Sequence, residues 1–215
     1  MSFRSVAIIG LGLLGGSTGL AVQKFLPDVQ TTGWDANPET RARAAERGLV
    51  AAVFDDAAQA VAGADLVILC VPVGAMADAA TAIAPGLSPD ALISDVGSSK
   101  QAVAKALAEA LPGLAVIPAH PVAGTERSGP DAGFASLFQQ RWCIITPPAD
   151  ADAAKVAALS ADIFWLVLPS LVLFLLLPVL LKQGWNFWLS LGTSCAATAL
   201  AYGATTWALR VFRAA

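Results

Sequence analysis

The stretch "VAIIGLGLLGG", residues 6–16, decides the fold. Val6 to Ile9 is a short apolar run that breaks off at glycine, the pattern of a strand buried on both faces of a parallel sheet. Residues 13–25 read as the helix that follows. At the junction Gly10, Gly12 and Gly15 stand in G-x-G-x-x-G spacing, and each has a mechanical task. Gly10 permits a tight turn, Gly12 lets a pyrophosphate approach the backbone, and Gly15 lets helix and strand pack closely. The first helical N–H groups, those of Leu13 and Leu14, offer partial positive charge to a phosphate. "TTGW" (31–34) is the next strand, and it ends at Asp35, twenty residues beyond Gly15, where a carboxylate reaches the ribose of a bound dinucleotide.

Asp35 also bears on which dinucleotide. A carboxylate there accepts hydrogen bonds from both ribose hydroxyls and repels a 2′-phosphate, and "DANPET" delays the first arginine to Arg41. NAD is therefore expected, with NADP as the alternative. Asp35 competes with Asn37 for a second task, capping the helix that begins at Pro38.

Outward from this motif, strand and helix alternate. Pro38 to Arg47 is a polar helix with proline in its first turn and Gly48 at its end, and "DLVILCVP" (65–72) is a buried strand. "ALISDVG" and "LAVIPAH" supply two more strands, with a helix over 100–111 between them. This order implies a doubly wound α/β domain of Rossmann type, whose ligands lie at the carboxyl edge of the sheet. Three loops should line that edge. Val71-Pro72 turns the chain across the nucleotide, "ISDVGSSK" carries Ser98 and Ser99, and "IPAHPVAGTERSGP" carries His120, the chain's one histidine. Imidazole is the side chain that exchanges protons near neutrality, so His120 is the one imidazole base available. A lone histidine is also commonly a hydrogen-bonded structural residue. Ser98 and Ser99 serve by default as helix caps, and Lys100 as a solvated first-turn charge.

Charge divides the chain. Residues 1–162 hold ten of the thirteen basic residues and all sixteen acidic ones, a formal charge of −6; beyond them only Lys182, Arg210 and Arg213 are charged. Neither part has a basic stripe interleaved with aromatics, which argues against nucleic acid. Cys70, Cys143 and Cys195 form no C-x-x-C, and with a single histidine no usual zinc site can be assembled, so no metal is expected and a reducing compartment fits. The apolar run near the N-terminus is too short for a signal peptide.

Taken together, "VAIIGLGLLGGSTGLAV", "GWDANPETRARAAERG", "ADLVILCVPV", "ISDVGSSK" and above all "PAHPVAGTERSGP" resemble the nucleotide-binding half of prephenate and arogenate dehydrogenases, in order from about residue 4 to 148. The resemblance implies oxidative decarboxylation of prephenate or arogenate in tyrosine biosynthesis, with hydride transfer to the nicotinamide. It casts His120 as the residue that holds the substrate's 4-hydroxyl and assists its deprotonation. It casts Ser98 as the group that orients His120 and touches substrate, and Thr125 and Glu126 as residues of the substrate pocket. It also implies a long helical domain to follow, which forms a dimer and supplies an arginine to a substrate carboxylate.

The text after Pro147 departs from that pattern. A helix is expected over 150–160, and then residues 163–181 are nineteen uncharged residues, about 28 Å of helix at ~1.5 Å per residue against a hydrocarbon layer of ~30 Å. Lys182-Gln183-Gly184 separates them from a second uncharged run of twenty-five, 185–209. The pair reads as a two-helix transmembrane hairpin in place of the helical dimerisation domain, giving domains 1–160 and 161–215. Ser190, Ser194, Thr198, Tyr202 and Thr206 recur every fourth residue, a polar and small face suited to docking on the first helix or on a second copy of the chain. Arg210 and Arg213 against Lys182 alone favour both termini in the cytoplasm, with the protein at the inner or plasma membrane. An enzyme tethered in this way is the first expectation. The alternative is a membrane-tethered NAD-binding protein without turnover, a sensor or a fused remnant. A shifted reading frame would also yield such a tail, and the remaining protein would then be cytoplasmic.

Overall fold

Strand β1 (Ser5–Ile9) takes the centre of a six-stranded sheet because its side chains are apolar toward both faces; Ala7, Ile8 and Ile9 are fully buried. β2 (Gln30–Trp34) and then β3 (Ala52–Val53) lie to one side of it, and β4 (Leu66–Leu69), β5 (Leu92–Asp95) and β6 (Ala115–Val116) to the other. Every pairing is parallel, in the order β3-β2-β1-β4-β5-β6. The order reverses between β1 and β4, and this opens a crevice at their carboxyl ends.

Helix α1 (Leu13–Phe25) returns the chain from β1 to β2, and α2 (Pro38–Glu46) leads from β2 to β3. Asn37 caps α2 by accepting the Glu39 N–H, so Asp35 is released from that task. α3 (Ala57–Val61), α4 (Met76–Ile83) and α5 (Lys100–Ala110) follow. They cover one face of the sheet, where Val61, Met76, Ile83, Val103 and Leu107 pack with Ala7, Ile9, Val67, Leu69 and Ile93.

The doubly wound sheet agrees with the sequence expectation, with three local differences. β3 has two residues and α3 five, too short for a periodic signal, and α4 begins in a 3-10 turn after Pro72. "LAVIPAH" is not one strand. It breaks at Ile117-Pro118, since proline has no N–H for the ladder. The chain then enters β7 (Ala119–Pro121), which pairs antiparallel with β8 (Cys143–Ile145) in a separate two-stranded sheet. His120 is thus a strand residue, opposite Ile144.

The structure is a computed structural model that describes residues 3–147, 155–157, 159–160 and 171–214, and it divides into two compact units, Met1–Ser160 and Ala161–Ala215. Of the helix expected over 150–160, residues 155–157 and 159–160 are helical and the others lie outside the described residues. In the second unit, helix Leu171–Lys182 turns at Gly184 into helix Phe187–Ala214, and the two pack together. Asn186 starts the second helix by accepting the Trp188 N–H at 2.9 Å.

The transmembrane hairpin is not supported. Among the described residues no helix is long and apolar enough to cross a membrane. Helix Leu171–Lys182 has twelve residues, about 18 Å at ~1.5 Å per residue, and residues 163–170 of the expected span lie outside the described residues. Helix Phe187–Ala214 is long, but serine, threonine and glycine dilute its apolar content, and it runs on through Arg210 and Arg213, which were expected to flank it. The membrane localisation, the orientation drawn from those arginines and a homodimer through a membrane helix lose their basis with it.

Candidate functional site

The glycine turn is built by contact. Gly10 has φ 95°, a left-handed conformation, and its N–H donates to the Trp34 carbonyl at 2.7 Å. A Cβ on Gly15 would lie 1.8 Å from the Gly10 carbonyl oxygen, so only glycine lets α1 come this close to β1. At Gly12 a Cβ would meet nothing within 4 Å; that backbone faces open space. Gly12 is also the N-cap of α1 and brings no side chain to its first turn, which leaves the Leu13 and Leu14 N–H groups to a ligand.

Asp35 closes this cradle. Its Oδ2 accepts the Leu11 N–H at 2.8 Å and its Oδ1 accepts the Asn37 N–H at 2.9 Å. Each carboxylate oxygen keeps a second lone pair for a ribose hydroxyl. The open backbone at Gly12, the uncapped helix and this fixed carboxylate fit a dinucleotide. Arg41 is tied down: its Nη1 donates to the Asp35 carbonyl at 2.8 Å and its Nε to Asp55 Oδ1 at 3.0 Å. At the end of β4, Val71 is half-buried beside Gly10 and Pro72 is exposed. Cys70, just before them, is held as the neutral thiol, because burial pushes its pKa up to about 12.

Two strands away, a second cluster forms around Asp95, whose side chain is fully buried at the end of β5. Its Oδ2 accepts the Gly97 N–H at 2.7 Å and a bond from Lys100 Nζ, and its Oδ1 accepts the Ala119 N–H at 3.2 Å. Lys100 Nζ also donates to the Ala119 carbonyl at 2.6 Å. Lys100 is therefore an inward-facing partner and not the solvated charge expected from its place in a first turn. The next residue, His120, has Nδ1 3.3 Å from the Val96 carbonyl oxygen.

The other expected site residues are dispersed along loops. Ser98 is exposed ahead of α5, and the hydrogen bond of the His120 ring goes to Val96. Ser99 holds the N-cap position of α5 without a side-chain cap. Thr125 and Glu126 are exposed after β7, and Thr125 Oγ1 accepts the Arg127 N–H at 3.2 Å within its own turn. The loop beyond is fastened to the nucleotide fold: Phe134 N–H donates to buried Ser17 Oγ at 3.1 Å, and Arg47 donates to the Pro130 and Gly133 carbonyls. Asp95, Ser17 and Arg47 receive no individual role from the sequence, and Lys100 only that of a solvated charge. Asp95 had a usable signal, a carboxylate closing an otherwise apolar strand with lysine five residues on.

With this geometry in place, comparison with known proteins gives a consistent result. The family model described as prephenate dehydrogenase, nucleotide-binding domain, matches residues 18–165. A second model, described as BV97_02767-like, matches residues 144–214, so the tail resembles sequence found elsewhere, which is not expected of a shifted reading frame. The cyclohexadienyl dehydrogenase of Zymomonas mobilis is 48% identical over 155 residues, covering 72% of this chain and 53% of that one. The prephenate dehydrogenase of Bacillus subtilis is 32% identical over 157 residues, covering 72% and 42%. The chain thus spans about half the length of the curated relatives it matches. In fold it resembles the crystal structure of prephenate dehydrogenase from Aquifex aeolicus in complex with hydroxyphenyl propionate and NAD+, with TM-score 0.68 and 22% identity, covering 99% of this chain and 88% of that one.

Proposed function

The chain belongs to the prephenate dehydrogenase nucleotide-binding domain family, and from that premise we propose that it binds NAD and takes part in the oxidative decarboxylation of prephenate or arogenate. One observation carries the reading. The Gly12 turn follows β1 and Val96, whose carbonyl meets the His120 ring, follows β5; the carboxyl ends of these strands are two strand spacings or about 10 Å apart in the parallel sheet, within the length of an extended dinucleotide. The substrates are those of the relatives, cyclohexadienyl and prephenate dehydrogenases. The NAD+ bound in the Aquifex aeolicus structure supports the cofactor, and Arg41, held by Asp35 and Asp55, is a poor receptor for a 2′-phosphate.

When bound, NAD supplies the hydride acceptor. The Leu13 and Leu14 N–H groups bind its pyrophosphate, Asp35 takes the ribose hydroxyls, and Val71-Pro72 bounds the path between them. His120 then accepts the proton of the substrate's 4-hydroxyl at Nε2 as the hydride leaves the carbon that bears it. Loss of the ring carboxylate as CO2 leaves the pair of electrons that completes the aromatic ring. Thr125, Glu126 and Ser98 touch substrate in this scheme. Aromatisation supplies the driving force, so the residues have mainly to align and deprotonate.

The test uses the full chain with NAD and each substrate, read by reduced-nicotinamide absorbance and by calorimetric NAD titration. Turnover that is lost in His120→Ala with NAD affinity kept is the expected result. NAD binding without turnover on either substrate would sink the catalytic reading.

A further inference from the structure

We propose that the Asp95–Lys100 ion pair is a positioning device that fixes His120 as its Nδ1–H tautomer and so leaves the Nε2 lone pair exposed for proton transfer. The bonds converge on one histidine. The Val96 carbonyl facing Nδ1 can only accept, so the ring nitrogen there must carry the hydrogen, and in a neutral imidazole the other nitrogen is then the base. Both ends of that bond are held by the same pair. On the acceptor side, Asp95 grips the Gly97 N–H and thereby spans Val96. On the histidine side, Asp95 takes the Ala119 N–H, and Lys100 takes the Ala119 carbonyl, which belongs to the peptide group leading into His120.

The pair stands where a simpler solution was available. A buried ion pair contributes little net stability compared with apolar residues of the same volume, because both charges are stripped of water. This one joins three elements, the end of β5, the start of α5 and the start of β7, that share no ladder at this point. The Nδ1 contact at 3.3 Å is long, so the angle between ring and carbonyl depends on how firmly the two backbones are set. Ser98, the neighbouring candidate for this task, is exposed and the described bond of the ring bypasses it. Lys100 and Asp95 act through His120 and are positioning residues. Their catalytic meaning rests on the function proposed above, whereas the tautomer itself does not.

Because His120 is the chain's one histidine, imidazole nitrogen NMR of the full 215-residue protein reads it without ambiguity. In the unsubstituted protein Nδ1 should show the protonated signal and Nε2 the unprotonated one. Lys100→Met should give mixed tautomers, while Ser98→Ala should keep the single form. Should Lys100→Met fail to fold, Asp95→Asn keeps the shape and removes the charge, and it should give the same mixing. In turnover, Lys100→Met should lower kcat by about tenfold to a hundredfold, the scale of a displaced catalytic group, with KM for NAD unchanged. The proposal is overturned if the folded variants at Lys100 or Asp95 retain the Nδ1–H form, or if Ser98→Ala is the change that loses it. A chain with a locked tautomer and no turnover would overturn the function and leave the positioning device standing.

Discussion

The two units differ in which side chains lie deepest and which large apolar ones stay outside. In the first, the innermost residues are Ile8, Ile9, Leu69, Ile83 and Ile93. In the second, Ser190 and Ser194 are fully buried, whereas Leu175, Trp188, Leu200 and Trp207 are each about 70% exposed. Two hydroxyls of this face are absorbed locally: Ser194 Oγ donates to the Ser190 carbonyl at 2.7 Å and Thr198 Oγ1 to the Ser194 carbonyl at 2.8 Å. Small polar residues let two helices approach closely, and returning the hydroxyl to its own helix satisfies it. Hydropathy summed along the segment therefore says little about which face is inside. In the first unit composition and burial agree, because a strand covered on both faces has no outer side.

Four experiments would break or sharpen this contrast. Gly15→Val should have the largest effect, since its Cβ has no room beside the Gly10 carbonyl. A loss of about 3 kcal/mol or more is expected in denaturant unfolding of the first unit. Unfolding at the unsubstituted midpoint would refute the close-packing account. Asp35→Ala should weaken NAD binding by roughly tenfold to a hundredfold, the scale of charge-assisted hydrogen bonds, in calorimetric titration.

Next comes the same substitution in each unit, with opposite signs. Ser17 Oγ accepts the Phe134 N–H, so Ser17→Ala should cost about 1 kcal/mol. Among the described residues Ser190 Oγ is buried without a partner, so Ser190→Ala should raise stability by about 1 kcal/mol. Like-signed changes in thermal unfolding would count against the contrast.

The smallest effect at ordinary pH concerns the thiols. Cys195 is exposed; burial raises the Cys143 thiol and pushes Cys70 up to about 12. Alkylation should therefore reach Cys195 first and Cys70 only on unfolding. Native Cys70 keeps a proton that the unfolded thiol releases above its ordinary value of 9.0, so the unfolded state binds fewer protons from pH 9 to 12 and stability falls as pH rises through that window. Cys70→Ala should flatten that decline.

Much of the first unit was legible in sequence because its signals are local. A strand that stops at Gly10, a helix that must start near Leu13 and a carboxylate at Asp35 lie within thirty residues, and their spacing carries their geometry. Asn37 rather than Asp35 as the cap was already one of two open readings. β3 and α3 were too short to show a period. Lys100 was misjudged because a first-turn lysine usually points outward, and its partner Ala119 lies nineteen residues away in another sheet. The tail differs from expectation because serine, threonine and glycine recur through its long helix and keep it below the apolar content that a membrane span needs.

The sequence by itself determined the winding of the sheet, the glycine turn and the family, since these follow from short-range periodicity and from glycines no other residue can replace. Only the tertiary structure decided which backbone carbonyl meets the His120 ring, that Lys100 turns inward, and which face of the C-terminal helices is covered. Those outcomes depend on bonds between elements distant in the chain, where a side chain's direction is set by the partner that folding brings to it.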